Sequence, residues 1–129
     1  MSLHILIVDA DRSAAQVTGA AVTRSLPAAT VTVTTDPAHA WPRHQPESLD
    51  VLIIDPPSRR PAGTQLIRRA QAIWPGVLVI VLDSAPTPAL RRDLRALGVD
   101  VYLEKPTLLP VVLTALHTAL QRPCRTCVD

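Results

Sequence analysis

Phenylalanine is absent from this chain, and its aromatic side chains are limited to Trp41, Trp74 and Tyr102. Platforms that stack bases need several aromatic faces. Their scarcity argues against such a surface and leaves the core to valine, leucine, isoleucine and alanine. Glycine is also sparse: Gly19, Gly63, Gly76 and Gly98 lie far apart, so no glycine-rich loop is available to cradle a nucleotide phosphate. His4, His39, His44 and His117 sit in unrelated contexts, with no Ser/His or Cys/His pairing. These gaps weigh against a small nucleotide-binding enzyme, and the chain reads as a non-enzymatic domain.

Cysteine occurs only at Cys124 and Cys127, in CRTC near the end of the sequence. A C-x-x-C can be half of a zinc site or a redox pair, but no second cysteine pair and no histidine at ligand spacing accompanies it. The preferred reading is a reduced tail over residues 123–129, where a linker to a further domain would begin. Strong charge of one sign is missing too. Thirteen basic and eleven acidic residues give a net charge of +2, too little by itself to indicate nucleic acid. The pairs Arg59/Arg60, Arg68/Arg69 and Arg91/Arg92 read as solvated faces. Long apolar runs are absent as well. The start, MSLHILIVD, is too short and lacks the basic flank of a signal peptide. Residues 107–121 fall below the ~20 needed to span a bilayer. The expectation is a cytoplasmic domain that does not engage membrane.

At 129 residues, with 47% hydrophobic and 19% charged residues, one domain over residues 1–122 can bury a core without disulfides or metal. Five apolar runs recur, at 4–8, 30–34, 51–54, 77–82 and 99–103. Helix-like segments separate or follow them, at 12–25, 37–44, 63–74, 87–97 and 109–121. Strict alternation of this kind predicts an α/β fold with a parallel sheet. The runs ILIV, VLII and VLVIVL are continuously apolar, as strands covered on both faces are, whereas TVTVT and VDVYL alternate like edge strands. The five-stranded order 2-1-3-4-5 suits that pattern. Asp11 and Asp36 are placed as N-caps, Pro37 as a first-turn proline, and Gly98 as a C-terminal cap. Pro42 predicts a short or kinked second helix.

In an open α/β sheet, ligands bind beyond the carboxyl ends of the strands. There the successive runs place Asp9, Asp55, Asp83, and Glu104 followed by Lys105 and Pro106. Three carboxylates and an ammonium are expected to converge at this edge. Lys105 is the only lysine, all other cations being arginine, which suggests a position that wants a compact point charge.

The segments ILIVD (5–9), VLIID (51–55), VLVIVLDS (77–84) and GVDVYLEKP (98–106), in this order and spacing, resemble the receiver domains of two-component response regulators over about residues 3–122. The resemblance implies a flavodoxin-like (CheY-like) three-layer α/β/α fold. It makes Asp55 the phosphoacceptor for a histidine kinase, Asp9, Asp55 and the Pro57 carbonyl the ligands of Mg²⁺, and Lys105 the partner of a phosphoryl oxygen. Four features depart from the family. Ala10 stands where a second acid is usual, and Asp11 already serves as a helix cap, so Mg²⁺ should bind weakly. Pro57 keeps a carbonyl but has no N–H for a phosphoryl group. Asp83 aligns with the small hydroxyl residue that closes on the phosphoryl group, with Ser84 one residue on and facing the opposite side. Finally, PPSRRPAG is a stiff loop with Ser58-Arg59 where Met-Pro is usual.

The sequence therefore leads to an atypical receiver with a degenerate phosphorylation site that acts through protein contacts. The alternative is a conventional receiver, phosphorylated on Asp55 with Mg²⁺. In the degenerate reading, Lys105 is expected to bridge to Asp55, Asp83 or both, fixing the loops without metal. Along residues 109–121, positions 109, 112, 113, 116 and 120 make a core stripe, while Leu108, Val111 and Ala115 extend apolarity around the helix. With Tyr102 they form a candidate partner surface. The resemblance implies docking of a kinase or other signalling protein there, or homodimerisation through segment 87–97, the last strand and the last helix. Direct nucleic-acid binding by this domain is not expected.

Overall fold

The computed structural model describes residues 3–36, 47–57 and 62–122. The expected 37–44 helix with its Asp36–Pro37 start and Pro42, the Ser58–Pro61 part of the loop, and the tail with Cys124 and Cys127 lie outside the described residues. The elements in chain order are β1 (His4–Val8), α1 (Arg12–Ser25), β2 (Thr30–Thr34), β3 (Val51–Ile54), α2 (Ala62–Ile73), β4 (Leu78–Asp83), α3 (Pro88–Ala96), β5 (Val101–Glu104) and α4 (Leu109–Leu120). All strand pairs are parallel and the sheet order is β2-β1-β3-β4-β5. That is the order expected from the apolar runs.

Burial follows the same logic. Every residue of β3 is buried, and β4 is buried from Val79 to Asp83, whereas β2 and β5 are largely half-buried or exposed. Alternate side chains of the central strands feed two cores. Leu6, Val8, Leu52, Ile54, Val79 and Val81 pack with Leu66, Ile67 and Ala70 of α2 and Leu90 and Leu94 of α3. Ile5, Ile7, Val51, Ile53, Ile80 and Leu82 pack with Val22 of α1 and Val112 and Leu116 of α4. Three layers result because a parallel sheet must hide both faces.

Local chemistry sets the ends. The Asp11 side chain accepts from Ala14 N at 3.1 Å and opens α1; Thr87 accepts from Leu90 N at 3.1 Å and opens α3, with Pro88 in its first turn. Gly98, at φ 69°, follows α3 in the left-handed conformation that glycine adopts without penalty. The last two strands begin slightly later than their apolar runs. Val77 N bonds back to Trp74 O at 2.9 Å, holding Val77 in the preceding turn, and Asp100 spends its carboxylate on Val79 N at 2.8 Å before β5 begins.

Gly19, in the middle of α1, permits a close approach to the β2 edge. A Cβ there would lie 2.7 Å from Val33 Cγ2, and valine is stiff at χ1. Alanine would gain up to about 1 kcal/mol of helix propensity but incur an overpacking cost of about 1–3 kcal/mol. Gly19→Ala is expected to lower the unfolding free energy by about 1 kcal/mol in denaturant titration. Adding Val33→Ala should recover the loss, and a stabilised single variant would refute the steric account.

Candidate functional site

The strand register decides which side chains meet at the carboxyl edge of the sheet. Ile7 and Ile53 occupy the same level of β1 and β3 and face the α1/α4 layer, as Leu103 of β5 does. Asp9, Asp55 and Lys105 each lie two residues further along, so the two-residue period of extended chain carries all three toward that layer. There Lys105 Nζ donates to Asp9 Oδ2 at 2.6 Å and to Asp55 Oδ2 at 3.0 Å. The Lys105 backbone N–H donates to Asp83 O at 2.8 Å, which extends the ladder by one rung and holds the lysine at the sheet edge.

The remaining carboxylate oxygens also have partners. Asp9 Oδ1 accepts from Asp11 N at 2.9 Å, and Asp55 Oδ1 accepts from Ser84 N at 3.2 Å. The Asp9, Asp55 and Lys105 side chains are 7%, 9% and 22% exposed, which makes this a semi-buried ion triad. Burial pulls the Lys105 ammonium down in pKa, but the hydrogen bonds and negative charges of Asp9 and Asp55 outweigh it and raise the group above its ordinary 10.5.

Of the two acids expected to bridge to Lys105, Asp55 does and Asp83 does not. It follows Val81, not Leu82, in side-chain phase, and so faces the α2/α3 layer. It is completely buried, accepting from Tyr102 Oη at 2.7 Å on one oxygen and from Ala85 N at 3.0 Å on the other. The second acid on Lys105 is Asp9. Ser84 contributes its backbone N–H to Asp55, while its side chain is exposed. Glu104 turns outward and pairs with Arg91. The Asp83–Tyr102 contact was not anticipated. The sequence signal for it was the odd phase of Asp83 relative to Leu82, but using that signal requires knowing which β4 residue stands opposite Tyr102.

An open cleft of about 870 Å³ lies over the triad. Asp9, Asp55 and Lys105 form its polar floor, and Val17 of α1 and Leu109 and Val112 of α4 line its apolar flank. Pro57, half-buried, stands at its rim beside Pro56. Among the described residues, no group of three His, Cys, Asp or Glu is placed to hold a metal. Ala10 offers no oxygen from its side chain, and Asp11 directs its own to the α1 cap. As arranged, the donor set fits an ammonium; a divalent ion would have to displace Lys105 from Asp9 and Asp55.

Of the residues expected to form a partner surface, Leu108 and Val111 are 73% and 45% exposed, whereas Ala115 and Tyr102 are half-buried. The α4 core stripe is anchored by Val112, Leu116 and Ala119. Among the described residues no helix is long and apolar enough to cross a membrane.

Lys105→Met would leave Asp9 and Asp55 facing each other without a cation. It is expected to cost about 2 kcal/mol, less than the ~3–5 kcal/mol of a fully buried pair because solvent reaches the lysine. Because the folded-state pKa of Lys105 is raised, its contribution is complete below 10.5 and disappears as pH climbs through the higher folded value. Thermal melts should therefore show an alkaline loss of stability that is smaller in Lys105→Met, and equal alkaline losses would contradict the triad's role.

No protein-family model matches the sequence, and no curated protein matches it. Solved structures do. A CheY-like response regulator receiver domain protein from Methanospirillum hungatei JF-1 is 20% identical with a TM-score of 0.80, covering 93% of this chain and 94% of that one. The non-phosphorylated HemR receiver domain from Leptospira biflexa is 18% identical with a TM-score of 0.80 over 95% and 98% of the two chains. A response regulator from Thermotoga maritima is 22% identical with a TM-score of 0.74 over 95% and 100%. With the strand order and the carboxyl-edge site, these similarities establish that the chain has the flavodoxin-like, CheY-like fold of response regulator receiver domains.

Proposed function

We propose that this chain is a receiver-type signalling domain of a two-component system, whose acceptor site is retained in outline and which works in the cytoplasm through protein contacts without phosphoryl transfer. The observation that carries this reading is the state of the groups around Asp55. Both of its oxygens are bonded, to Lys105 Nζ and Ser84 N. The same ammonium is shared with Asp9, Pro57 has no N–H, and Asp83 presents a carboxylate where a hydroxyl is usual and turns it toward Tyr102. A phosphoryl group on Asp55 needs positive charge and donors around its oxygens. Here the internal ammonium takes the place of Mg²⁺ in neutralising the acids.

One observation favours the conventional alternative, phosphorylation of Asp55 by a histidine kinase with Mg²⁺: Asp55 opens onto the large cleft, and Ser84 N already points at it. Incubation with Mg²⁺ and acetyl phosphate, followed by intact-mass measurement, separates the two. The expected result is no added phosphate. A phosphate adduct present in the natural chain and missing from Asp55→Asn would establish the conventional reading.

For the protein contact, the surface at the start of α4 supports a homodimer formed with α3 and β5, or the docking of another signalling protein. Leu108 and Val111 leave apolar area in water. Leu108→Glu combined with Val111→Glu is expected to shift the protein from dimer to monomer in light scattering with little change in melting temperature. A natural chain that is monomeric at high concentration would rule the dimer out.

A further inference from the structure

β2 ends the sheet on one side, and among the described residues β1 is its only strand neighbour. In extended chain the backbone N–H and C=O of one residue point to one side and those of the next residue to the other. Thr30 N donates to Leu3 O at 2.7 Å, and Thr34 O accepts from Asp9 N at 3.1 Å. Thr30, Thr32 and Thr34 therefore turn their backbone groups toward β1, and Val31 and Val33 turn theirs outward. No described residue meets those outward groups.

Nothing in β2 protects this edge. Sheets blunt a free edge with lysine, proline, a bulge or another charged side chain. The opposite edge follows that practice: β5 carries Glu104, paired with Arg91, and Lys105 and Pro106 come next. β2 reads Thr-Val-Thr-Val-Thr, all β-branched, uncharged and without proline, and it keeps one register with β1 over its length. Thr30 and Thr32 are exposed, and Val33 is 39% exposed.

The order of these residues points to the occupant, because the strand reads the same in both directions. An antiparallel pair centred on Thr32 sets Val31 opposite Val33 of the second copy, Thr30 opposite Thr34, and Thr32 opposite itself. The valines bring their outward N–H and C=O groups into the gap, so each valine pair is a hydrogen-bonded one that exchanges both bonds. Thr32 then falls at a non-hydrogen-bonded position, with its Cα about 4.5 Å from that of its copy. The side chains also match. Valine meets valine on the face toward α1, where Val31 joins the α1/α4 core and Val33 lies beside Gly19. Threonine meets threonine on the other face, and both are favourable cross-strand pairs. An unrelated extended peptide could use the same backbone groups, but the like-with-like match of side chains is particular to a second copy.

We propose that β2 is a self-association edge: two copies join antiparallel about a two-fold axis at Thr32 and run their sheets into one. The contact is isologous and closes on itself as a dimer. It lies at the far edge of the sheet from the surface at the start of α4 and uses no side chain of the Asp9–Asp55–Lys105 triad. A five-residue strand pair buries only a fraction of the ~1,200–2,000 Å² of a stable interface. The dimer is therefore reversible and forms at high concentration.

Sedimentation of the Leu108→Glu/Val111→Glu chain isolates this contact, since the other surface is disabled there. Dimer is expected to build up between about 0.1 and 1 mM. Thr32→Lys sets two ammoniums face to face across the axis and is expected to weaken association about tenfold, with an unchanged melting temperature because the side chain is exposed. In a chain also carrying Cys124→Ser and Cys127→Ser, Thr32→Cys should crosslink under oxidised glutathione, as a disulfide spans Cα atoms about 4.4–6.8 Å apart. Thr30→Cys, on the same face but about 14 Å from its own copy, should not. Three outcomes overturn the proposal: a chain that stays monomeric to about 1 mM, Thr32→Lys associating as its parent does, or Thr30→Cys crosslinking as readily as Thr32→Cys. The first would leave the edge to an extended peptide of another protein.

Discussion

Everything at the carboxyl edge of this sheet depends on the ammonium of Lys105. Two strand-end acids on neighbouring strands cannot both stay ionised and nearly buried unless a positive charge lies between them. The nearest candidate comes from the far edge of the sheet, across β4. Lys105 suits that position: its stem is long and flexible, and its charge is compact enough to contact an oxygen of each acid at 2.6 and 3.0 Å. A planar guanidinium would favour a bidentate grip on one acid over a bridge between two. That accounts for a lone lysine in a chain whose other cations are all arginine.

A second constraint is the phase of extended chain. Successive side chains point to opposite faces, so a carboxylate one residue out of step with its neighbours joins a different layer. Asp55 stands level with Leu82 on the next strand, and Asp83 is one step later. The shift takes Asp83 away from the triad and into the layer of Tyr102. The side chains of four charged groups at one edge thus divide between two assemblies, a triad under the cleft and an acid–phenol pair on the α2/α3 side. The backbone N–H of Lys105 still joins them by donating to Asp83 O.

Much of the fold was legible because burial imposes composition. A strand covered on both faces has to be apolar over its covered length, and the runs ILIV of β1, VLII of β3 and LVIVL of β4 are, whereas the alternating β2 and β5 lie at the edges where one face meets water. The caps at Asp11 and Gly98 were equally plain, since each acts on backbone within a few residues of itself; the Thr87 cap of α3 emerged only in the structure. Element boundaries were less plain at β4 and β5. Val77 and Asp100 fall inside the runs 77–82 and 99–103, but each is engaged by a partner that the local sequence does not name, Trp74 O for Val77 and Val79 N for Asp100.

The candidate site shows the same division. That Asp9, Asp55 and Lys105 gather at one edge followed from alternating strands and helices, because a parallel sheet brings every carboxyl end to the same side. That Pro57 has no N–H and Ala10 no side-chain oxygen could likewise be read from the residue types, and the resemblance to receiver domains gave those gaps their meaning. Which acid shares the lysine could not. The lysine's second partner is Asp9 and not Asp83 because of the register between β3, β4 and β5, fixed by side-chain packing on both faces of the sheet. The sequence by itself determined the layers, the strand order and the inventory of charges at the edge, since these depend on local pattern and on the need to bury apolar area. The tertiary structure alone decided how those charges pair, since a one-residue difference in register reverses the face to which a carboxylate belongs.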